Sequence, residues 1–529
     1  MSVPATSASS HSTIVIDPIT RIEGHLKIEA VVEGGVVKEA RSSGTLYRGL
    51  EKVLRGRDPR DAQHITQRIC GVCPQVHATA AALNLDSAFG LAGRIPDNGR
   101  ITRNLILGSN YIQSHLLHFY HLAALDYVDV TAAAGYEGTD PDLSSVAGFI
   151  SRGVLEPFLP RYEGDYRLSP ELNRAATAHY VQALTMRRRA HEMLAIFGGK
   201  MPHSVGVVPG GVTVEPTVDR IAAFLWRLNE LRHFIDNVYL PDVLAVAAAY
   251  PDCFGVGRGC GRYLAYGVFD LDGTEPSYAD RKRFLPSGTT DVSLTVSPVR
   301  PERIVEHVRH SWYADETTGL SPSMGRTEPD RDKPQAYSWL KAPRYDGRAY
   351  EVGPLSRVLV AYAAGDQAVR KVVDGVLAHL GAGPEALFSV LGRHAARAVE
   401  CKLVADAMAE WVLSLKPGEP AYVEYELPAR ASGMGLVDAP RGALGHWIEI
   451  EDGRIANYQC VVPTTWNASP RDDAGEPGPI EQAIEGTRIR DVENPFEVVR
   501  IVRSFDPCIA CAVHLVTPRG RSLGAFDVS

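Results

Sequence analysis

The sequence predicts an α+β protein that is predominantly α-helical, with long helices in the core and small β-sheets at the periphery. Three observations lead there. Two short segments of alternating polarity flank glycine turns, four longer segments carry apolar residues at helical spacing, and no internal repeat or low-complexity stretch interrupts them.

Taken in order, the first element is a hairpin. Residues 25–32 and 36–41 alternate in polarity around Gly34-Gly35, a pair suited to a tight turn. Residues 100–128 then show helical spacing with no internal proline. Residues 173–197 are similar and stop at Gly198-Gly199, where glycine can take the left-handed conformation that ends a helix. A third helix is expected over 217–240, with Pro241 as a stop or kink because proline has no amide hydrogen. A fourth is expected over 392–415. Residues 255–288 and 317–334 are rich in Gly, Pro and charge and read as long loops. A second hairpin pairs 446–450 with 454–459 across Asp452-Gly453. The run Arg187-Arg188-Arg189 reads as a solvated helix face.

At 529 residues, 45% hydrophobic and 22% charged, the chain can bury a large core. We expect one domain over 1–529, with residues 1–12 as a flexible tail. A formal net charge of −8 argues against nucleic acid as a main partner. Residues 1–12 lack the basic and apolar regions of a secretory signal. Apolar runs such as 243–250 fall far short of the roughly 20 residues a membrane helix needs. The chain is therefore expected in the cytoplasm, or exported or membrane-associated together with a partner.

The eight cysteines include two Cys-x-x-Cys pairs near opposite ends, Cys70/Cys73 and Cys508/Cys511. Two intervening residues let both sulfurs of a pair face one ion, and four thiolates suit Zn, Ni, Cu(I) or Fe. A structural zinc site fits the sulfurs but usually clips local loops. Two unrelated thiol-redox motifs are a second reading, and a catalytic metal a third. Spacing alone leaves all three open.

The surrounding residues say more. Arg21-Ile22-Glu23-Gly24-His25, Arg48-Gly49-Leu50-Glu51 and 56–62 precede the Cys70 pair. Gly198-Gly199-Lys200-Met201-Pro202-His203 and the 337–344 stretch fall in the middle. The 439–447 and 458–467 stretches come near the end, before the Cys508 pair and His514. In this order and spacing the chain resembles the large subunits of nickel–iron hydrogenases over nearly its whole length.

The resemblance implies that Cys70, Cys73, Cys508 and Cys511 hold nickel. Cys73 and Cys511 would also bridge to an iron carrying CO and CN ligands. Dihydrogen would be split heterolytically, with Cys508 as the first proton acceptor and Glu23 as the gate leading the proton toward solvent. Arg441 would be an electrostatic positioner above the open site; its use as a base would need an unusual environment. Pro440, Arg441 and Thr464 would line the pocket of the diatomic ligands. His77 would donate to a bridging sulfur or a cyanide, and Asp506 would orient Arg441. Glu51, His514 and the main-chain carbonyl of Cys460 would hold a magnesium-like ion. Many family members carry aspartate where Ser114 stands before His115; its absence leaves Asp506 as the main carboxylate facing Arg441.

Residues 515–529 resemble the tail that a maturation endopeptidase removes after chaperones insert nickel, so the mature chain is expected to end at His514. The other cysteines, Cys253, Cys260, Cys401 and Cys460, match no iron–sulfur spacing, and no convincing dinucleotide fingerprint is present. Electrons from H2 would therefore leave through an iron–sulfur small subunit, in a heterodimer or a higher oligomer. The related large subunit of respiratory complex I lacks the metal cysteines that this chain has. A zinc-holding assembly platform is the alternative from another class.

Overall fold

The computed structural model describes residues 11–154 and 165–512. The N-terminal sheet is antiparallel, ordered His11–Ile16, Leu26–Glu33, Val36–Gly44. Inward and outward residues alternate along Leu26–Glu33, as expected of a strand buried on one face. Gly34 and Gly35 both have positive φ, 59° and 76°, which the tight turn between these strands requires. The predicted hairpin is thus present, with an additional strand before it. That strand includes residues 11 and 12, which were assigned to the flexible tail; pairing of Ser12 with Val32 places them in the sheet. Residues 1–10 and 513–529, including His514 and the expected extension, lie outside the described residues.

The four predicted helices are all found. The first runs Asp97–Leu116 and continues through a π-helical turn, Leu117–Ala123. Every residue from Ile101 to Leu116 is buried, so this helix is the central strut. Pro170–Gly198 packs along it, capped by Ser169, whose hydroxyl accepts from the Leu172 amide, and closed by Gly199 at φ 81°. Val390–Leu413 packs on another side and is capped in the same way by Ser389. Val218–Phe234 passes into a π-turn, Ile235–Tyr239, and then into Leu240–Ala249. Pro241 neither stops nor breaks the path, because it falls in the first turn of the new helix, where no amide hydrogen is needed.

The second predicted hairpin is the pair Gly442–Glu451 and Arg454–Val461, turning at Asp452 (φ 50°) and Gly453 (φ 69°). The sequence reading missed a third strand, Ala431–Ala439, which completes the sheet. It also missed the helix Pro74–Ala88, which lies against that sheet. Residues 255–288, expected as loop, contain the strands Arg262–Ala265, Val268–Asp270 and Arg283–Leu285; these pair over so few residues that no alternation could show. Arg188 and Arg189 pair with Glu192 as on a solvated helix face, whereas Arg187 is half-buried and donates to Gln113 of the central helix at 3.4 Å. Among the described residues no helix is long and apolar enough to cross a membrane.

Candidate active site

Five chain segments meet at one buried point. The first is the loop Cys70–Cys73, where Cys73 immediately precedes the helix Pro74–Ala88. The second is the turn 506–508, which follows the helix Phe496–Ser504. The third is the tight connection at Pro440–Arg441 between two strands of the second sheet. The fourth is the short helix Pro463–Asn467, carrying Thr464. The fifth is the loop at Glu23, just before the strand Leu26–Glu33.

Cys70, Cys73 and Cys508 are all buried. The Cys70 and Cys508 sulfurs are 3.3 Å apart, and Cys73 lies 4.0 Å from Cys508. A disulfide is about 2.05 Å long, so these contacts are not S–S bonds. All three sulfurs fall within 4.8 Å of one another, close enough to bind one soft cation with metal–sulfur bonds of about 2.3 Å. The two ends of the chain therefore share one site and do not form two separate thiol centres. The Val72 amide donates to the Cys70 sulfur at 3.2 Å, which favours its thiolate. Cys511 belongs to the short helix Ile509–Ala512; its side chain and His514 lie outside the described residues. Dense, buried thiols facing one another are a donor set that fits a soft transition metal.

Glu23 touches this cluster directly. The Cys508 thiol donates to Glu23 Oε2 at 3.1 Å, and the Ala510 amide donates to the same oxygen at 2.9 Å. The backbone reinforces the contact, since the Ile509 amide donates to the Glu23 carbonyl at 2.7 Å. Gly24 makes this approach possible: at φ 83°, a Cβ there would sit 2.8 Å from the Ala510 nitrogen. Burial, with a contribution from Cys70, raises the Glu23 pKa above that of a solvated glutamate.

Arg441 is held on three sides. Its Nε donates to the Asp506 carbonyl at 3.0 Å, one terminal nitrogen donates to Asp506 Oδ1 at 3.0 Å, and the other donates to the Ser114 hydroxyl at 3.3 Å. Burial opposes the charge, but Asp506 and the cysteines outweigh it and hold the guanidinium pKa well above its ordinary value. These contacts favour the charged form of Arg441. Ser114 accepts a hydrogen bond without adding charge, and Asp506 is the carboxylate paired with Arg441. Pro440 is buried beside it. The Thr464 hydroxyl accepts from the Cys508 amide at 2.9 Å, which fixes the cysteine and leaves the hydroxyl hydrogen to donate elsewhere.

His77 is buried, and burial lowers its pKa to about 4, so the ring is neutral near pH 7. Its Nδ1 lies 3.3 Å from His446 Nε2. Glu51 sits apart from the cysteines. The Cys460 amide donates to its Oε1 at 2.9 Å, and the Thr327 hydroxyl donates to Oε2. Glu306 and Lys341 form an ion pair nearby, in electrostatic reach of Glu51. Here Cys460 meets Glu51 through its amide hydrogen, not through the carbonyl that the resemblance implies as an ion ligand.

Sequence reasoning missed Arg357, Glu400, His446 and Tyr458. Arg357 donates to the carbonyls of Ala439 at 2.8 Å and Pro440 at 3.0 Å, the two residues before Arg441, and is itself clamped by Glu400 at 2.8 Å. Nothing in the local sequence marks an arginine whose carbonyl partners lie more than 80 positions away. His446 falls inside the 439–447 block, where its place in the resemblance was the only signal.

These features define a nickel-dependent hydrogenase. A family model described as "Nickel-dependent hydrogenase" matches residues 48–514, and a HoxL-like model matches 13–43. The chain belongs to that family, as a large subunit. It is 43% identical to the periplasmic [NiFeSe] hydrogenase large subunit of Desulfomicrobium baculatum, over 98% of each chain. It is 39% identical to an uptake hydrogenase large subunit from Rhizobium leguminosarum bv. viciae, again over 98% of each. A solved Ni-Fe-Se hydrogenase from D. vulgaris Hildenborough superposes with a TM-score of 0.84 at 44% identity, covering 96% of this chain and 100% of that one.

Proposed function

We propose that Cys70, Cys73, Cys508 and Cys511 together hold a nickel–iron pair whose iron carries CO and CN, and that Cys508 and Glu23 form the first two stations of the proton path. The chain is the catalytic subunit of a hydrogenase, an oxidoreductase acting on H2. One observation carries the finer reading: the Cys508 sulfur lies within 4.0 Å of both N-terminal cysteines and 3.1 Å from the half-buried Glu23 carboxyl group.

When bound, the metal pair supplies an open coordination position at which dihydrogen is polarised. The protein does the rest. Cys508 takes the proton, and Glu23 Oε2 receives it along the existing contact. Its raised pKa brings Glu23 closer to the thiol it relays for, and the Ala510 amide holds the accepting oxygen in place. Arg441 stays charged and balances the thiolates. Arg441, Thr464 and His77 offer donors for the diatomic ligands and sulfurs, with Pro440 closing the pocket. Glu51, the Cys460 carbonyl and His514 would hold a divalent ion such as Mg that anchors the C-terminal segment.

Selenium appears in the names of several relatives, whereas this sequence has cysteine at all four donor positions; the site proposed here is all sulfur. Among the described residues the cysteine trio is the one metal-ligand cluster found. Electrons therefore need a second subunit, and an iron–sulfur small subunit fits. A maturation endopeptidase and nickel-insertion chaperones would act on the precursor before assembly.

The test is metal analysis and infrared spectroscopy of the chain purified with its partner, together with dihydrogen-dependent dye reduction. Equimolar nickel and iron, CO and CN bands, and activity are expected. One zinc per chain with neither bands nor activity would replace this reading with that of a zinc platform.

A further inference from the structure

Two neighbouring residues of the central helix Asp97–Leu116 reach Arg441 by different routes. Ser114 meets it directly. His115 reaches it through two other helices. Its Nε2 lies 2.7 Å from Oε2 of Glu400, on the helix Val390–Leu413. Glu400 accepts in turn from Nε of Arg357 and, at 2.8 Å, from one of its terminal nitrogens. Arg357 lies on the helix Pro354–Ala363. An arginine has five N–H donors, and here each finds an acceptor. Those not given to Glu400 go to the carbonyls of Ala439 at 2.8 Å and Pro440 at 3.0 Å and to Asp438 Oδ1 at 3.3 Å. His115, Glu400 and Arg357 are all fully buried.

We infer that His115 is a positioning residue for the hydrogenase reaction: through its Nε2–H it keeps the Glu400 carboxylate facing Arg357, and so fixes the Pro440–Arg441 connection beside the cysteine cluster. The inference rests on the metal-site reading above and deepens it, since the place of Arg441 affects turnover only if that cluster holds the metals.

Hydrogen counting gives the direction. Both Glu400 oxygens already face N–H groups of Arg357. Burial works against the Glu400 charge, but Arg357 outweighs it and pushes the pKa down to about 2, so Glu400 has no hydrogen to give. The hydrogen in the 2.7 Å contact therefore belongs to His115 Nε2. His115 Nδ1 is buried and has no partner among the described residues. A hydrogen there would be a buried N–H without an acceptor, which is costly. Burial also lowers the His115 pKa despite the neighbouring carboxylate. The ring is thus neutral and in one tautomer, and its one donated hydrogen goes to Glu400. That hydrogen has a mechanical effect. The last torsion of a glutamate is broad, so a carboxylate turns easily unless it is held. A donor on the far side of Oε2 stops the turn and keeps Arg357 aligned with the carbonyls of Ala439 and Pro440.

The experiment compares His115→Gln with His115→Asn in the enzyme assembled with its partner subunit. Glutamine carries its amide nitrogen as many bonds from Cα as Nε2 lies, so it can still donate to Glu400. Asparagine carries it one bond short, where Nδ1 lies, and cannot. His115→Gln is expected to keep kcat within about threefold of wild type, with the CO and CN infrared bands in place. His115→Asn is expected to lose about tenfold or more in kcat, with KM for H2 within about twofold, and to shift those bands at unchanged nickel and iron content. Wild-type bands and turnover in His115→Asn, with only Tm lowered, would make the histidine merely structural and overturn the inference. A glutamine variant as impaired as the asparagine one would overturn it as well. Should His115→Asn fail to assemble, nitrogen-15 NMR of labelled wild type in a diamagnetic state decides, with the His115 signals assigned by their loss in His115→Gln. Hydrogen on Nε2 and a bare Nδ1 are expected, and hydrogen on Nδ1 would overturn the inference. Absence of CO and CN bands from the wild type would count against the metal-site reading alone, because the nitrogen spectrum reports the His115 contact independently.

Discussion

Arg441 and Glu23 divide between them two tasks that a single residue cannot perform at this site. Arg441 is favoured in its charged form by Asp506 and the sulfurs. Glu23 is less firmly ionised because burial disfavours its charge. A group with a movable proton can relay; a charged guanidinium attracts and orients. Glu23→Gln keeps the shape and the Ala510 contact but cannot accept a proton from Cys508. Dihydrogen-dependent dye reduction is expected to fall by about 100-fold or more, the scale of a lost acid–base group, with nickel and iron content unchanged. Full activity in this variant would remove Glu23 from the proton path. Arg441→Lys keeps the charge but loses the fork that grips the Asp506 main-chain carbonyl and its carboxylate Oδ1 together. It is expected to retain the metals and lose at least about tenfold in kcat. At this scale the sequence was informative only through the family motifs. Glu23 alone looks like a surface glutamate beside a hairpin, and only its meeting with Cys508, from the other end of the chain, makes it functional.

Elements set the precision of these contacts. Arg357, on the helix Pro354–Ala363, braces the connection that carries Arg441, and Glu400, on Val390–Leu413, braces Arg357. Breaking such a buried pair leaves an uncompensated charge and costs about 3–5 kcal/mol. Arg357→Met should therefore lower Tm by several degrees. Arg357→Lys should lose less stability but still lose turnover, because a single ammonium cannot hold both carbonyls. A second tie joins the N-terminal sheet to the helix Pro479–Ile484. Glu481 accepts from the Ser42 amide at 2.9 Å and from the Tyr337 hydroxyl at 2.9 Å, and burial raises its pKa from 4.5 to about 7. Folding thus favours the neutral acid. Its contribution is intact below pH 4.5 and is lost as pH rises through about 7, a change on the order of 3 kcal/mol. Glu481→Gln removes that titration. The stability of wild type relative to the variant should fall between pH 4.5 and pH 8 in paired melting curves; parallel curves would mean the carboxyl group ionises normally. Elements with a solvent face, such as Pro170–Gly198, were legible because burial imposed a period on them. The helix Pro74–Ala88 is buried almost all round and shows no such period. The strand Ala431–Ala439 carries glycines that serve helix approach and weaken its strand signature.

The whole molecule closes a loop of 438 positions between Cys70 and Cys508. The entropy cost of closure grows only logarithmically with length, and the body of the fold has many ways to offset it. Arg503 ties the final long helix to the N-terminal segment through the Thr20 carbonyl at 3.0 Å and to Asp126 at 2.5 Å. The Glu23 and Thr464 contacts then seat the 507–509 backbone. Spacing in the sequence could name the four sulfurs but not this scaffold, which is built from residues with no motif of their own. The scaffold separates a catalytic metal centre from a structural zinc clip, whose ion supplies the folding free energy itself. If the body brings the ends together, stripping the metals with a strong chelator should leave the main thermal transition in place, lowered by only a few degrees. The loss should instead be local. Hydrogen exchange should accelerate at residues 506–512 and around Glu23, while amides of the central helix Asp97–Leu116 stay protected. Global unfolding on metal removal, with exchange rising through that central helix, would mean that the metal organises the fold, and the cluster would then have to be read as a clip.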